Sequence, residues 1–189
     1  RRQRQMCIRD SVPSIELSSA LMKHPNIDCI LATGGPGMVK AAYSSGNPAL
    51  GVGPGNTSAV IDETADIKMA VSSILMSKSF DNGMICASEQ SVVVVDSIYE
   101  EVKNEFIYRG AYLLNEDQKQ KLIDLPLIDP KRGTAHPDVV GQKPHRIAEL
   151  SGFGADVPED AKILLVERPE VDWEDPFSRE KLSPVLTMY

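Results

Sequence analysis

The stretch that decides the fold runs from Cys29 to Tyr43: Cys29-Ile30-Leu31-Ala32-Thr33-Gly34-Gly35-Pro36-Gly37-Met38-Val39-Lys40-Ala41-Ala42-Tyr43. Cys29 to Ala32 is an apolar run of strand length, Thr33 to Gly37 is a glycine-rich turn, and Met38 to Tyr43 reads as a short helix. A buried strand leading through such a turn into a helix is the repeating unit of an α/β fold. The same alternation continues on both sides. Upstream, Ser14 to Lys23 reads as a helix stopped by Pro25. Downstream, Ser58 to Ile61 reads as a strand, and Ile67, Ala70, Val71, Ile74 and Leu75 recur at helical spacing within Ala65 to Ser77, with Asp62 and Glu63 placed to favour the helix dipole. A polar loop carrying Cys86 then leads to the strand Val92 to Val95. The next helix is expected to start at a capping box, Ser97-x-x-Glu100, and to end at Gly110. Lys143 to Leu150 reads as helix and Ile163 to Val166 as strand.

The chain has 189 residues, with 42% hydrophobic and 25% charged residues, enough for a substantial core. No apolar run approaches the ~18 residues that a membrane-spanning helix needs. Twenty Lys and Arg against 27 Asp and Glu give a net charge of −7, which argues against general affinity for nucleic acid or anionic lipid. A small acidic-to-neutral substrate or a protein partner is expected instead. The three cysteines, Cys7, Cys29 and Cys86, are too few and too irregular for a disulfide framework or a metal knuckle, so a reducing, cytoplasmic compartment is expected.

The amino terminus departs from this pattern. Residues 1–11 read RRQRQMCIRDS, with four arginines in an otherwise acidic chain. Met6 to Ser11 is what ATG TGT ATA AGA GAC AG encodes, a stretch resembling the adaptor ligated to DNA fragments before sequencing. The expectation is that residues 1–11 are a sequencing artefact outside the fold.

Three features can carry chemistry. The turn Gly34-Gly35-Pro36-Gly37 presents bare backbone amides at a helix start, where a phosphate can bind, although glycine clusters also simply make turns. Cys86 lies in the loop Ser79-Phe80-Asp81-Asn82-Gly83-Met84-Ile85-Cys86-Ala87-Ser88-Glu89-Gln90, either as a reachable thiol beside backbone N–H groups or as a small buried hydrophobe. Glu180, in Arg179-Glu180-Lys181-Leu182-Ser183-Pro184-Val185, reads on its own as a solvated acid before a turn. Cys29, inside its apolar run, is expected in the core. His24, His136 and His145 are scattered, and no metal site is expected.

In order and spacing, LATGGPGMVK (31–40), GVGPGN (51–56), SKSFDNGMICASEQSVVVVD (77–96), VGQKPHRIAELSGF (140–153) and EKLSPVLTMY (180–189) resemble the aldehyde dehydrogenase superfamily. The resemblance is to its CoA-acylating branch, as in the amino-terminal half of bifunctional aldehyde/alcohol dehydrogenases. It implies an α/β fold in which residues 12–52 form the end of a Rossmann-type NAD-binding domain and residues 53–189 most of a truncated catalytic domain. It implies Cys86 as the catalytic thiol, with its own N–H as half of an oxyanion hole whose other half lies upstream. Gly34 and Gly35 fall at the turn that meets the NAD pyrophosphate, and Glu180 at the glutamate holding the nicotinamide ribose. Val39 stands where the wider superfamily has a second glycine.

The resemblance also implies what is missing. Hydrolytic members carry a glutamate in an E-L-G-G segment that activates water; here the segment is Gly51-Val52-Gly53-Pro54 and the carboxylate position is Gly51. Loss of a general base costs water attack roughly two to four orders of magnitude, whereas a thiol ionises readily and needs less help. The implied activity is an acetylating acetaldehyde dehydrogenase of fermentative alcohol metabolism. It interconverts acetyl-CoA plus NADH with acetaldehyde, NAD and CoA, with CoA as co-substrate. A glutamate installed at Gly51 is expected to permit some hydrolysis provided the carboxylate fits. The resemblance further implies a homo-oligomer, filamentous in the complete bifunctional protein, and little activity in this stretch alone. The alternatives are a non-acylating aldehyde dehydrogenase, a glutamyl-phosphate reductase, which needs a basic phosphate site near the cysteine where the chain offers only Lys78, and an inactive structural fragment.

Overall fold

The computed structural model describes residues 12, 14–125, 127–129 and 133–189; the expectation for residues 1–11 lies outside them. The chain divides into two compact units, one ending at Pro54 and the other spanning Gly55–Tyr189.

The first unit holds α1 (Ile15–Met22), β1 (Ile30–Thr33), α2 (Pro36–Tyr43) and β2 (Ala49–Val52), with β1 and β2 paired in parallel. Ser14 caps α1 by accepting a bond from the Leu17 N–H at 3.0 Å. The expected strand, turn and helix over Cys29 to Tyr43 are present. The burial expected for Cys29 is not: the thiol is exposed, because it precedes β1 in a two-stranded sheet whose only buried residue is Ala32. Leu31, on the face away from α2, is 79% exposed. The core of this unit, Ala32 and Ala42, is correspondingly small.

The second unit is built on a five-stranded parallel sheet in the order β3 (Ser58–Ile61), β4 (Ser91–Val94), β9 (Val185–Met188), β8 (Ile163–Glu167), β5 (Ala111–Leu113). The helices α3 (Ile67–Ser79) and α4 (Tyr99–Tyr108) pack with one face; α5 (Glu116–Asp124) and α6 (Pro144–Leu150) pack with the other. A short antiparallel pair, β6 (Ile128–Asp129) and β7 (Thr134–Ala135), lies between α5 and α6 in the chain. The middle strands are buried on both faces, which is why they read as unbroken apolar runs. In β8, Ile163 and Leu165 join Phe106 and Leu75 on the α3/α4 side, while Leu164 and Val166 join Leu122 and Ile147 on the other.

Two details of the helix starts differ from expectation. Helix α3 begins at Ile67 under an Asp66 cap, whose carboxylate accepts from the Met69 N–H at 3.0 Å; Asp62 instead closes a turn onto Thr64. The Ser97-x-x-Glu100 box does not form, because the Ser97 hydroxyl donates to Glu63 at 3.2 Å and α4 starts without a side-chain cap. A complete capping box occurs at Asn115 and Gln118 of α5 instead. Gly110 does end α4, with φ +101°. No described helix is long and apolar enough to cross a membrane.

Candidate active site

Helix α3 ends at Ser79, and the chain then turns through three consecutive left-handed residues, Asp81 (φ 48°), Asn82 (φ 51°) and Gly83 (φ 67°). Only Gly83 is a glycine, so the other two hold a costly conformation of the kind kept where the surroundings over-determine it. Here they do. The Asn82 side-chain amide donates to the Gly141 carbonyl at 2.9 Å. A Cβ on Gly83 would sit 2.5 Å from the Ser183 carbonyl oxygen, so this loop is pressed against the segment leading into β9.

The loop presents Cys86 to solvent, which removes the buried-hydrophobe reading. Among the described residues no acceptor lies on the Cys86 N–H, leaving that donor available to an oxygen developing charge beside the sulfur. A cavity of about 290 Å³ opens next to it, lined by Met76 and Ser77 of α3, by Phe80, and by Ile85, Ala87 and Ser88 around the cysteine.

Glu180 approaches the same place from the segment before β9. Its Oε1 accepts from the Gly55 N–H at 3.2 Å, and Gly55 in turn packs on the Cys86 backbone: a Cβ there would lie 3.2 Å from the Cys86 carbonyl oxygen and 4.0 Å from Glu180 Oε1. The absence of a side chain at Gly55 therefore lets the cysteine and the glutamate meet. Partial burial holds the Glu180 carboxyl above its ordinary pKa, opposed by the Gly55 N–H and the charge of Lys78. Lys78 is fully buried and points inward; burial pushes its amine down to about 7, against the charges of Glu89 and Glu180. It cannot serve as a surface phosphate site.

Gly34 and Gly35 lie in the first unit. The Gly34 N–H already donates to the Val52 carbonyl at 3.1 Å, and a Cβ there would press on Met38 at 3.3 Å, so this glycine serves the packing of α2. Gly35 is the cap residue of α2, and at Gly35 and Gly37 a Cβ would meet nothing within 4 Å. Among the described residues no acceptor lies on either N–H. Gly35 and Gly37 thus present bare backbone at the start of α2. A cavity of about 440 Å³ adjoins them between α1 and α2, lined by residues including Ile15, Met22, Gly37 and Met38, a feature sequence reasoning did not anticipate.

At Gly51 the structure corrects an expectation. A Cβ there would lie 2.7 Å from Val39 Cγ1 and 2.8 Å from Tyr43 Cε2, and the Gly51 N–H donates to the Tyr43 hydroxyl at 3.0 Å. A glutamate does not fit at this position. Residues 44–61 contain no Asp, Glu or His.

Sequence reasoning also missed Gly55, Asn56, whose amide donates to the Ser178 carbonyl at 2.8 Å, and Gln90, a wholly buried amide. Gly55 and Asn56 were legible only as part of a turn. Gln90 reads as one more polar loop residue until its contacts are known. No group of acidic, histidine or cysteine side chains among the described residues is arranged to hold a metal.

The second unit joins a parallel α/β sheet to a reachable thiol and a carboxylate on adjoining loops, and the family pattern of the aldehyde dehydrogenase family matches residues 11–162. The chain belongs to that family. It is 61% identical over 177 residues to the bifunctional aldehyde-alcohol dehydrogenase AdhE of Escherichia coli K12, covering 94% of this chain and 19% of that protein. Among solved structures it superimposes with a TM-score of 0.87 on an acetylating aldehyde dehydrogenase from Geobacillus thermoglucosidasius, at 50% identity, covering 94% of this chain and 38% of that one. A propionaldehyde dehydrogenase from Rhodopseudomonas palustris, solved with bound CoA and an acylated cysteine, matches with a TM-score of 0.81 at 34% identity, over 93% of this chain and 39% of that one. The chain spans about a fifth of the length of the bifunctional aldehyde-alcohol dehydrogenases it matches.

Proposed function

We propose that this chain carries the acyl-transfer centre of an acetylating acetaldehyde dehydrogenase, with Cys86 as nucleophile. The observation that carries the reading is an exposed Cys86 against the Gly55–Glu180 contact, in a chain with no proton-accepting side chain over residues 44–61.

The Cys86 thiolate adds to the aldehyde carbon, forming a C–S bond, and the carbonyl oxygen takes the negative charge toward the Cys86 N–H. Collapse of this adduct re-forms the C=O and expels hydride, leaving an acyl thioester on Cys86. Bound NAD supplies the hydride acceptor. The CoA thiolate then attacks the thioester carbon; the new C–S bond forms as the bond to Cys86 breaks, and the Cys86 thiolate is regenerated. In the reverse direction the Cys86 thiolate attacks acetyl-CoA and releases CoA thiolate, and once the thioester carbon has been reduced the C–S bond to Cys86 breaks, freeing acetaldehyde and the thiolate. The apolar side chains of Met76, Phe80 and Ile85 beside the thiol suit a short alkyl group.

Residues of this chain fit the cofactor in two places. Gly35 and Gly37 offer backbone N–H groups to a pyrophosphate, with Gly34 shaping the turn, and the neighbouring cavity between α1 and α2 suits a flat adenine ring. For Glu180, whose Oε1 accepts from the Gly55 N–H, the role proposed is to accept from ribose hydroxyls, as the family resemblance implies. On this reading residues 12–52 are the end of the NAD-binding domain and residues 53–189 the catalytic domain. Fermentative alcohol metabolism in the cytoplasm is the proposed setting, consistent with free thiols at Cys29 and Cys86.

The test uses the complete gene product. NAD reduction with acetaldehyde is expected to require CoA, and NADH oxidation to proceed with acetyl-CoA. Incubation with acetyl-CoA should leave an acetyl adduct on the peptide containing Cys86, absent in Cys86→Ser. Full-rate aldehyde oxidation without CoA, or near-native turnover by Cys86→Ser, overturns the assignment. The inward orientation of Lys78 disfavours an acyl-phosphate substrate.

A further inference from the structure

Gln90 is wholly buried one residue before β4, and its side chain connects three segments that meet behind the site. Its Oε1 accepts from the Lys181 N–H at 2.9 Å and from Lys78 Nζ at 3.4 Å. Its Nε2 donates to the Ser88 carbonyl at 3.2 Å. Ser88 is two residues after Cys86, Lys181 is one after Glu180, and Lys78 is in the last turn of α3. The Gln90 backbone is itself fixed in the sheet, donating to the Thr57 carbonyl at 2.8 Å and accepting from the Thr187 N–H at 3.2 Å.

The other side of Glu180 is held as firmly. Lys181 is wholly buried, and its Nζ donates to the carbonyls of Phe177 at 2.8 Å and Arg179 at 3.0 Å. The backbone around Glu180 is therefore pinned by Lys181 from one side and by Gln90 from the other. Gln90 reaches across to the cysteine loop as well. A primary amide is the group that can do this, because it accepts at one end and donates at the other without bringing a charge into the interior.

Resting on the proposed acyl-transfer reading, we propose that Gln90 is a positioning residue that sets the Cys86 loop and the Glu180 segment in register, anchored to α3 through Lys78. It touches neither substrate nor cofactor. Its two ends act on different parts of the reaction: the Ser88 bond on the thiol, the Lys181 bond on the ribose-binding carboxylate.

Two substitutions in the complete protein separate these ends. Gln90→Met keeps the volume and removes all three bonds; Gln90→Glu keeps an acceptor for Lys181 and Lys78 and loses the donor to Ser88. For each variant the iodoacetamide alkylation rate of the Cys86 peptide is followed by mass spectrometry, and NAD KM and kcat are measured per titrated thiol. Gln90→Met is expected to change the alkylation rate about fivefold or more and to raise NAD KM by a similar factor. Gln90→Glu is expected to change the alkylation rate while NAD KM stays within twofold of wild type. A purely structural role lowers melting temperature and active fraction but leaves both quantities unchanged per titrated thiol, and that result overturns the inference. If Gln90→Met does not fold, Gln90→Glu decides alone, through alkylation changed with NAD KM retained or through both unchanged. Alkylation needs no turnover, so it decides the Gln90 role even if wild-type protein shows no CoA-dependent oxidation, a result that defeats the functional reading separately.

Discussion

Cys86 differs from Cys29 in surroundings, not in exposure. Both thiols reach solvent, but Cys86 sits in a loop held by strained left-handed residues, beside an unengaged N–H and a carboxylate fixed by Gly55, whereas Cys29 precedes a sparsely covered strand. A nucleophile needs that second set of conditions. Gly51 carries the sharpest prediction at this scale. Gly51→Glu is expected to destabilise the first unit by roughly 1–3 kcal/mol or more through overpacking against Val39 and Tyr43, and to yield no hydrolytic activity. Thermal denaturation and an assay for free acetate check both halves. Cys86 and Glu180 were singled out through the resemblance of their flanking motifs; on its own residues Cys86 was open between a reachable thiol and a buried hydrophobe, and Glu180 read as a solvated acid. Gly55 and Gln90 were not, since their importance lies in contacts with residues far away in sequence, 125 positions for Gly55 and Glu180 and 91 for Gln90 and Lys181.

Among the elements, the capping box of α5 lends itself to a direct measurement. Asn115 accepts from the Gln118 N–H at 2.9 Å and Gln118 returns a bond to the Asn115 N–H at 3.1 Å. Asn115→Ala is expected to cost about 1 kcal/mol in a chemical denaturation experiment, with no change in Cys86 alkylation. The strands β1, β3, β4 and β8 and the helices α1 to α4 and α6 were legible from period and punctuation. The strand β9 was not: Ser183-Pro184 signals a turn, and Thr187 interrupts an apolar run whose hydroxyl in fact donates to the Phe177 carbonyl at 2.7 Å inside the core. Nor was α5 legible, since its sequence EDQKQKLID shows little apolar face and owes its order to the cap and to Leu122. The misplaced box at Ser97 shows the complementary limit. A motif states which bonds are possible, and the Ser97 hydroxyl found Glu63 instead.

For the molecule as a whole, Lys78 and Lys181, both wholly buried, make stability depend on pH in a defined direction. Burial lowers the Lys78 pKa from 10.5 to about 7, and that of Lys181 well below its ordinary value. Between pH 7 and 10 the unfolded chain therefore binds more protons at these positions than the folded one, so stability rises with pH across that window. Each such group contributes about 1.4 kcal/mol per pH unit where its folded form is neutral and its unfolded form charged. Lys78→Met is expected to reduce the slope by about that amount, measured as urea denaturation of the complete protein from pH 7 to 10.

The sheet also separates what happens at its two rims. Gly55, Cys86 and Glu180 all lie on loops that lead into the strands β3, β4 and β9, opposite to the carboxyl-end crevice where open parallel sheets usually hold their ligands. The carboxyl rim is closed by ordinary surface chemistry, with Glu167 bridged to Tyr99 at 3.1 Å and Lys103 at 3.2 Å, and Arg168 paired with Asp175 at 2.8 Å. A strand of five residues at ~3.3 Å each puts roughly 17 Å between the rims. A tether, a fluorophore or a fused carrier attached just beyond β8, for instance at the exposed Glu170, therefore sits at the rim opposite the Cys86 loop.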